Sequence, residues 1–176
     1  MKNTIIQWNC RRLKANYNDI LNLNEYYPAL LCLQETLLKN TGNITFKNYL
    51  FNTYLQNVDR ASEGVSIAVN NRASHSIIPL NTHLQAIVVS VTLHRGITFC
   101  SIYMSPSTNF SPNELDTLDQ QLPAPFDLLD FNAHNILWKS NYISNRGKKV
   151  EYFVTRHDLC LTSLQLTPKN GYLHVY

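Results

Sequence analysis

The chain has 176 residues, 44% of them hydrophobic and 15% charged, with ten Tyr, seven Phe and two Trp. That is one ordinary domain with ample material for a buried core, and it excludes a disordered or fibrous chain. Fifteen basic against twelve acidic residues give a net charge of +3, an excess too small to establish a polyanionic partner by itself. The longest apolar stretch, residues 26–33, contains Pro28 and falls far short of the ~20 residues that span a bilayer. The first twelve residues, MKNTIIQWNCRR, lack an apolar signal-peptide core. Cys10, Cys32, Cys100 and Cys160 are scattered and form no C-x-x-C pair. Reduced, buried thiols in an intracellular protein are expected.

In chain order, Thr4 to Asn9 (TIIQWN) reads as a strand, followed by the basic residues Arg11, Arg12 and Lys14. Ile20, Leu21, Leu23 and Tyr27 recur at helical spacing up to Pro28, and Ala29 to Leu33 is a continuous apolar run of strand length. Residues 44–58 read as irregular structure with one strand, then Gly64 to Val69 and His75 to Ile78 as two more. Ala86–Leu93 and Ile97–Met104, separated by His94, Arg95 and Gly96, form a hairpin. Ser111-Pro112-Asn113-Glu114 is a helix start, with Leu115, Leu118 and Leu122 as its apolar stripe and Pro123 beyond its end. Phe126–Leu129 is a short strand leading to Asp130, and Lys148–His157 a helix with Val150, Phe153 and Val154 inward. The chain shows no repeat and no domain boundary. The pattern predicts an α/β protein with two mostly antiparallel sheets face to face and helices outside, a four-layered α-β-β-α sandwich.

Chemistry concentrates where polar residues follow buried strands: Asn9, Gln34-Glu35-Thr36, Tyr103, and Asp130 through Asn135. A carboxylate there is costly without a partner. Glu35 and Asp130, with Asn9 and Asn132 beside them, make an all-oxygen set of the kind that suits Mg2+ or Mn2+. Each residue also has an ordinary structural use. Glu35 and Asp130 serve as caps or surface carboxylates, Asn9 and Asn132 as Asx-turns, Tyr103 as a core aromatic, and His134 in packing. Composition and spacing reach a metal-type constellation and stop there.

The motifs W-N-C-R, L-C-L-Q-E-T, G-V-S-I-A-V, S-I-Y-M-S-P, D-F-N-A-H-N-I-L-W and N-R-G occur in this order between Ile5 and about Leu164. The sequence resembles the endonuclease/exonuclease/phosphatase superfamily, and within it the apurinic-type endonuclease domain of jockey-like non-LTR retrotransposons. The resemblance implies a metal-dependent DNA endonuclease that nicks a target site by phosphodiester hydrolysis, with Mg2+ or Mn2+ as cofactor. DNA would be the partner, a reverse transcriptase domain would lie downstream, and the setting would be nuclear, with no membrane. Glu35 then matches the metal-binding Glu and Asn9 the amide beside it. Asp130 matches the carboxylate that handles the attacking water, Asn132 the amide that orients it, and Tyr103 the hydroxyl on the phosphate. Arg11, Arg12 and Lys14, and the second cluster Arg146, Lys148 and Lys149, are candidates for DNA phosphates; their alternative is a solvated face.

Three positions depart from that family's pattern. Leu129 and Glu63 stand where it has Gly, and residues 1–176 stop before its Ser-x-Ile-Asp-Leu and Ser-Asp-His motifs. The expectation is therefore a domain lacking its C-terminal strands, with His174 outside the catalytic set and activity reduced or absent. The alternatives are a non-catalytic remnant with weak nucleic-acid binding, or another phosphodiesterase or phosphatase of the same fold.

Overall fold

A computed structural model describes residues 4–38, 46, 48–54, 63–105, 109–129, 133–138, 140–159, 165–167 and 171–175, the segments 128–129, 165–167 and 171–175 by their backbone alone. The elements run β1 (Thr4–Asn9), α1 (Tyr17–Leu23), β2 (Leu30–Gln34), β3 (Tyr49–Tyr54), β4 (Val65–Asn70), β5 (Ser74–Ile78) and β6 (Gln85–Thr92). They continue β7 (Gly96–Tyr103), α2 (Pro112–Asp119), β8 (Phe126–Leu129), α3 (Asn145–Arg156), β9 (Gln165–Thr167) and β10 (Gly171–Val175). One sheet has the order β3-β4-β2-β1-β10-β9 and the other β5-β6-β7-β8. All neighbours are antiparallel except β1–β2 and β7–β8. Among the described residues no helix is long and apolar enough to cross a membrane.

Strand alternation sorts the core into three layers of side chains, because successive residues point to opposite faces. Ile5, Leu30, Cys32, Val65, Ile67 and Val69 of the first sheet meet Ile87, Val89, Val91, Phe99 and Tyr103 of the second in the central layer. Their neighbours Ile6, Trp8, Leu31, Leu33 and Ala68 point the other way, onto Ile20 of α1 and onto Leu13 and Phe46. Ala86, Val88, Cys100 and Ile102 face α2 and α3 through Leu115, Leu118, Val150, Phe153 and Val154. This is the four-layered α-β-β-α sandwich that the pattern predicts. Cys10, Cys32 and Cys100 are free and buried, as expected of a reduced protein; Cys160 lies outside the described residues.

The helices follow their local signals. Glu114 reaches back to accept from the Ser111 backbone N–H at 2.7 Å, the reciprocal half of a capping box. Helix α3 begins three residues before the predicted start, because the Ser144 Oγ accepts from the Gly147 N–H at 2.9 Å and caps it. Helix α1 stops at Leu23 and gives way to a 3-10 turn, with Tyr27 at φ 49° ahead of Pro28. Strands β9 and β10 were not apparent in the sequence pattern; β10 pairs antiparallel with β1, Thr4 opposite Val175.

Candidate active site

Parallel pairing of β1 and β2 brings both C-terminal ends to one rim of the sandwich, with Asn9 opposite Gln34. The second sheet reaches the same rim at the end of β7. There Tyr103 turns inward between the sheets, because it shares its face with Phe99. Glu35, half-buried, is the meeting point. Its Oε1 accepts from Asn9 Nδ2 at 2.8 Å and from the Tyr103 hydroxyl at 3.2 Å. Asn9 is oriented in turn by its Oδ1, which accepts from the Arg11 N–H at 3.2 Å. Three residues separated by 26 and 68 positions from one another's partner thus converge, as their strand-end placement predicts.

The backbone that carries Glu35 is strained and clamped. Among the described residues eight non-glycine positions have left-handed φ, and five of them, Arg11 (43°), Arg12 (106°), Glu35 (50°), Leu37 (47°) and Glu63 (50°), lie in this rim. Such conformations cost of order 1 kcal/mol or more each and persist only where the surroundings over-determine them. Here the surroundings do so from both sides. The N–H groups of Arg12 and Leu13 donate to the carbonyls of Glu35 and Thr36 at 2.8 and 3.0 Å. On the other flank Thr36 and Leu37 donate to the carbonyls of Gly64 and Glu63 at 3.3 and 2.8 Å. Glu63, where the resembled family has glycine, keeps a positive φ and accepts from Gln85 Nε2. Cys10 closes the bottom: its Sγ donates to the Gln34 carbonyl at 3.1 Å, and burial pushes the thiol up to about 12. That holds it protonated and rules it out as a nucleophile at neutral pH.

The donor set suits a hard cation. Both side-chain groups facing Glu35 are neutral donors on Oε1; among the described residues Oε2 has no partner, and no Lys or Arg pairs with the carboxylate. Beside it, Gln34 Oε1 and Thr36 Oγ1 are buried with no hydrogen-bond partner among those residues, although Gln34 Nε2 donates to Ser101 Oγ at 3.1 Å. A partly buried carboxylate without a counter-charge, set among unsatisfied oxygens, fits Mg2+ or Mn2+ better than a softer metal. Among the described residues no three His, Cys, Asp or Glu side chains cluster.

Asp130 and Asn132 lie outside the described residues. Strand β8, which leads to them, runs parallel to β7 and ends at Leu129 opposite Ser101, two residues short of Tyr103. Leu129 there has extended backbone that needs no glycine. Beyond, residues 133–135 and the N-R-G motif lock together. Asn135 is fully buried, and its Nδ2 donates to Glu151 Oε2 at 2.7 Å and to the Gly147 carbonyl at 3.4 Å. The Ser144 N–H donates to the His134 carbonyl at 2.9 Å. A Cβ on Gly147 would sit 1.9 Å from that same carbonyl oxygen, so only glycine admits this approach. His134 stacks on Tyr142, ring centroids 4.6 Å apart, which gives it a packing role.

The basic residues divide. Arg11, Arg12, Lys14 and Lys148 are exposed. Arg146 instead turns back to the site: its guanidinium donates to the Met104 and Ser105 carbonyls at 3.0 and 2.6 Å, just past Tyr103, and burial lowers its pKa. Lys149 donates to the Phe110 carbonyl at 2.6 Å and to Asn109 Oδ1 at 3.1 Å. The sequence offers Arg146 as a DNA-phosphate contact or a solvated cation, since a partnership with backbone carbonyls leaves no trace in residue types.

Residues 97–172 match the family model described as endonuclease-reverse transcriptase. No curated protein matches the chain by sequence. Solved structures do match its fold. The endonuclease domain of TRAS1, a telomere-specific non-LTR retrotransposon, is 17% identical with a TM-score of 0.74, over 97% of this chain and 82% of that one. An AP endonuclease from Archaeoglobus fulgidus is 12% identical with a TM-score of 0.57, over 98% and 86%. The 3'-5' exonuclease NExo from Neisseria meningitidis is 16% identical with a TM-score of 0.59, over 86% and 70%.

Proposed function

We propose that this chain, which has the nuclease-type fold of the endonuclease/exonuclease/phosphatase superfamily, is a divalent-metal-dependent endonuclease of a retroelement that hydrolyses a phosphodiester bond in DNA. The observation that carries the reading is the convergence of Glu35, Asn9 and Tyr103 on one rim, with Glu35 held, among the described residues, by neutral donors alone. A cation held by Glu35 and Asn9 would supply charge neutralisation at the phosphate. Around it the chain's own groups position and donate. Asn9 and Tyr103 fix the Glu35 carboxylate through Oε1 and leave Oε2 for other use. In this reading the Tyr103 hydroxyl donates to a phosphate oxygen instead, and donors preorganised in this way are worth most where charge develops. Asp130, following β8, is the residue we assign to orienting the attacking water, and Asn132 to orienting Asp130. Exposed Arg11, Arg12, Lys14 and Lys148 serve the DNA backbone in this reading, in an intracellular, nuclear setting beside a reverse transcriptase.

The test is nicking of supercoiled plasmid with Mg2+ or Mn2+, set against EDTA, for the parent protein, Glu35→Gln and Asp130→Asn. Metal-dependent nicking lost in both variants supports the assignment. Equal nicking by all three proteins, or cleavage only of phospholipid or inositol phosphate substrates, would overturn it.

A further inference from the structure

Segment 133–149 has two properties that the catalytic reading leaves unused. It holds four Lys or Arg residues and no Asp or Glu, in a chain whose whole net charge is +3. It also displays apolar side chains to solvent: Ile136 is 61% exposed, Leu137 55%, Tyr142 57% and Ile143 40%. Apolar groups in a mobile loop collapse inward when they can. These are held out by a rigid base, because the buried Asn135 accepts from the Leu137 N–H at 3.0 Å while its amide is tied to Glu151 and Gly147. Trp138 Nε1 donates to the Ala133 carbonyl at 2.7 Å and closes the other side. The tip is fixed relative to the site as well. Arg146 grips the carbonyls just past Tyr103, and the next residue, Gly147, packs on the His134 carbonyl.

We propose that Ile136 and Leu137 form an apolar wedge that presses against the bases of DNA held at the neighbouring site. The inference rests on the nuclease reading for the position of the DNA. Its occupant follows from charge: the segment's sequence is basic and free of acids, and an exposed apolar tip that shares it with exposed Lys148 complements bases flanked by phosphates. Aliphatic side chains inserted at a base step unstack it and bend the duplex. Lys148, exposed on the first turns of α3, takes a phosphate beside the wedge.

The experiment titrates the full chain, in EDTA to prevent cleavage, into duplex DNA carrying 2-aminopurine at successive positions. The parent is expected to raise the fluorescence at least threefold at one step. Ile136→Ser combined with Leu137→Ser, both at exposed positions, should abolish that rise and weaken binding about tenfold while leaving the slope of log K against log salt unchanged. Lys148→Ala should keep the rise and lower the slope by about one. Bound DNA with an unchanged rise in the double variant overturns the wedge and leaves the nuclease reading standing. A parent that unstacks DNA yet never nicks it with metal upholds the wedge against that reading. Self-association of the chain relieved by the double substitution, seen by ultracentrifugation without DNA, would mark the tip as a protein contact and overturn the proposal.

Discussion

Two settings for carboxylates in this molecule use the same residue types and differ in what faces them. Asp116 and Asp119 on α2 meet basic side chains at the end of α3: Asp116 Oδ1 lies 2.7 Å from His157 Nε2, its Oδ2 lies 3.0 Å from Arg156, and Asp119 Oδ2 lies 3.0 Å from His157 Nδ1. Helices there are regular, capped and packed through Leu115, Leu118, Phe153 and Val154. At the Glu35 rim the carboxylate meets, among the described residues, only an amide and a hydroxyl, on backbone with five left-handed residues. The first region satisfies its charges internally and so spends them on holding α2 to α3. The second leaves its charge for something from outside, and strain marks where regular structure was given up to do so.

The sharpest way to break this comparison is to neutralise each carboxylate and ask which loss is catalytic. Glu35→Gln keeps an acceptor for Asn9 and Tyr103 and removes only the charge. Without metal its melting temperature should equal or exceed that of the parent. Millimolar Mg2+ or Mn2+ should raise the parent's melting temperature and not the variant's, and nicking should fall by about a hundredfold or more, on the order of 3 kcal/mol. Destabilisation of the variant in EDTA, or an equal metal shift in both proteins, would place Glu35 among the structural carboxylates.

Gly147→Ala probes the joint between the two regions. Its Cβ meets a backbone carbonyl at 1.9 Å, which cannot rotate away as a side chain can. A loss of about 3 kcal/mol in urea denaturation is expected, at the upper end for overpacking. A helix-interior Gly→Ala that is neutral or stabilising, the ordinary outcome on an exposed face, would show that the His134 backbone and α3 are not locked.

The unequal legibility of the two regions has a physical origin. Local signals were read well: the Ser111–Glu114 capping box, the β6–β7 hairpin and strand β8 all depend on neighbours within a few residues. Glu35, Asn9 and Tyr103 were visible because a polar residue after a buried strand is conspicuous, whatever its partner. Helix α3 was predicted late, since its first turn, Asn145-Arg146-Gly147, holds two weak helix formers, Asn and Gly, and its start is set by the Ser144 cap. His157 was placed at the end of the predicted helix with no partner assigned to it. Its partners, Asp116 and Asp119, are 41 and 38 positions away and become neighbours only when α2 and α3 pack. Arg146 escaped for the reason already given, and β9 and β10 because three and five residues of mixed polarity carry no periodic signal.

Asp116→Asn tests the other side of the comparison. The group is largely buried and has two basic partners, but Arg156 is 53% exposed, so solvent screens part of the attraction. Folding stability should drop by about 1 kcal/mol at low salt, with the difference shrinking in 0.5 M NaCl. Nicking by the surviving folded protein and its metal-induced shift should be unchanged. A variant that loses the metal shift would connect α2 to the rim and dissolve the distinction between the two regions.

The smallest effect concerns Glu63, where the resembled family has glycine. Its φ of 50° is left-handed, a conformation costing a side chain about 1 kcal/mol and glycine nothing. Comparing Glu63→Gly with Glu63→Ala isolates that cost, because both lose the hydrogen bond from Gln85 and both keep the carbonyl that accepts from Leu37. In an ordinary loop the alanine protein is the more stable, by about 0.4–1 kcal/mol, since glycine gives the unfolded chain more freedom. Here the native-state strain outweighs that term and reverses the order, with the glycine protein ahead by a few tenths to about 1 kcal/mol in urea denaturation. The same reversal should be absent at an extended position such as Ser76 of β5, compared as Ser76→Gly and Ser76→Ala. An alanine protein more stable than the glycine one at position 63 would mean that the turn relaxes when its side chain is cut back. The rim would then be compliant, and its strain could not be what holds the Glu35 carboxylate towards Asn9 and Tyr103.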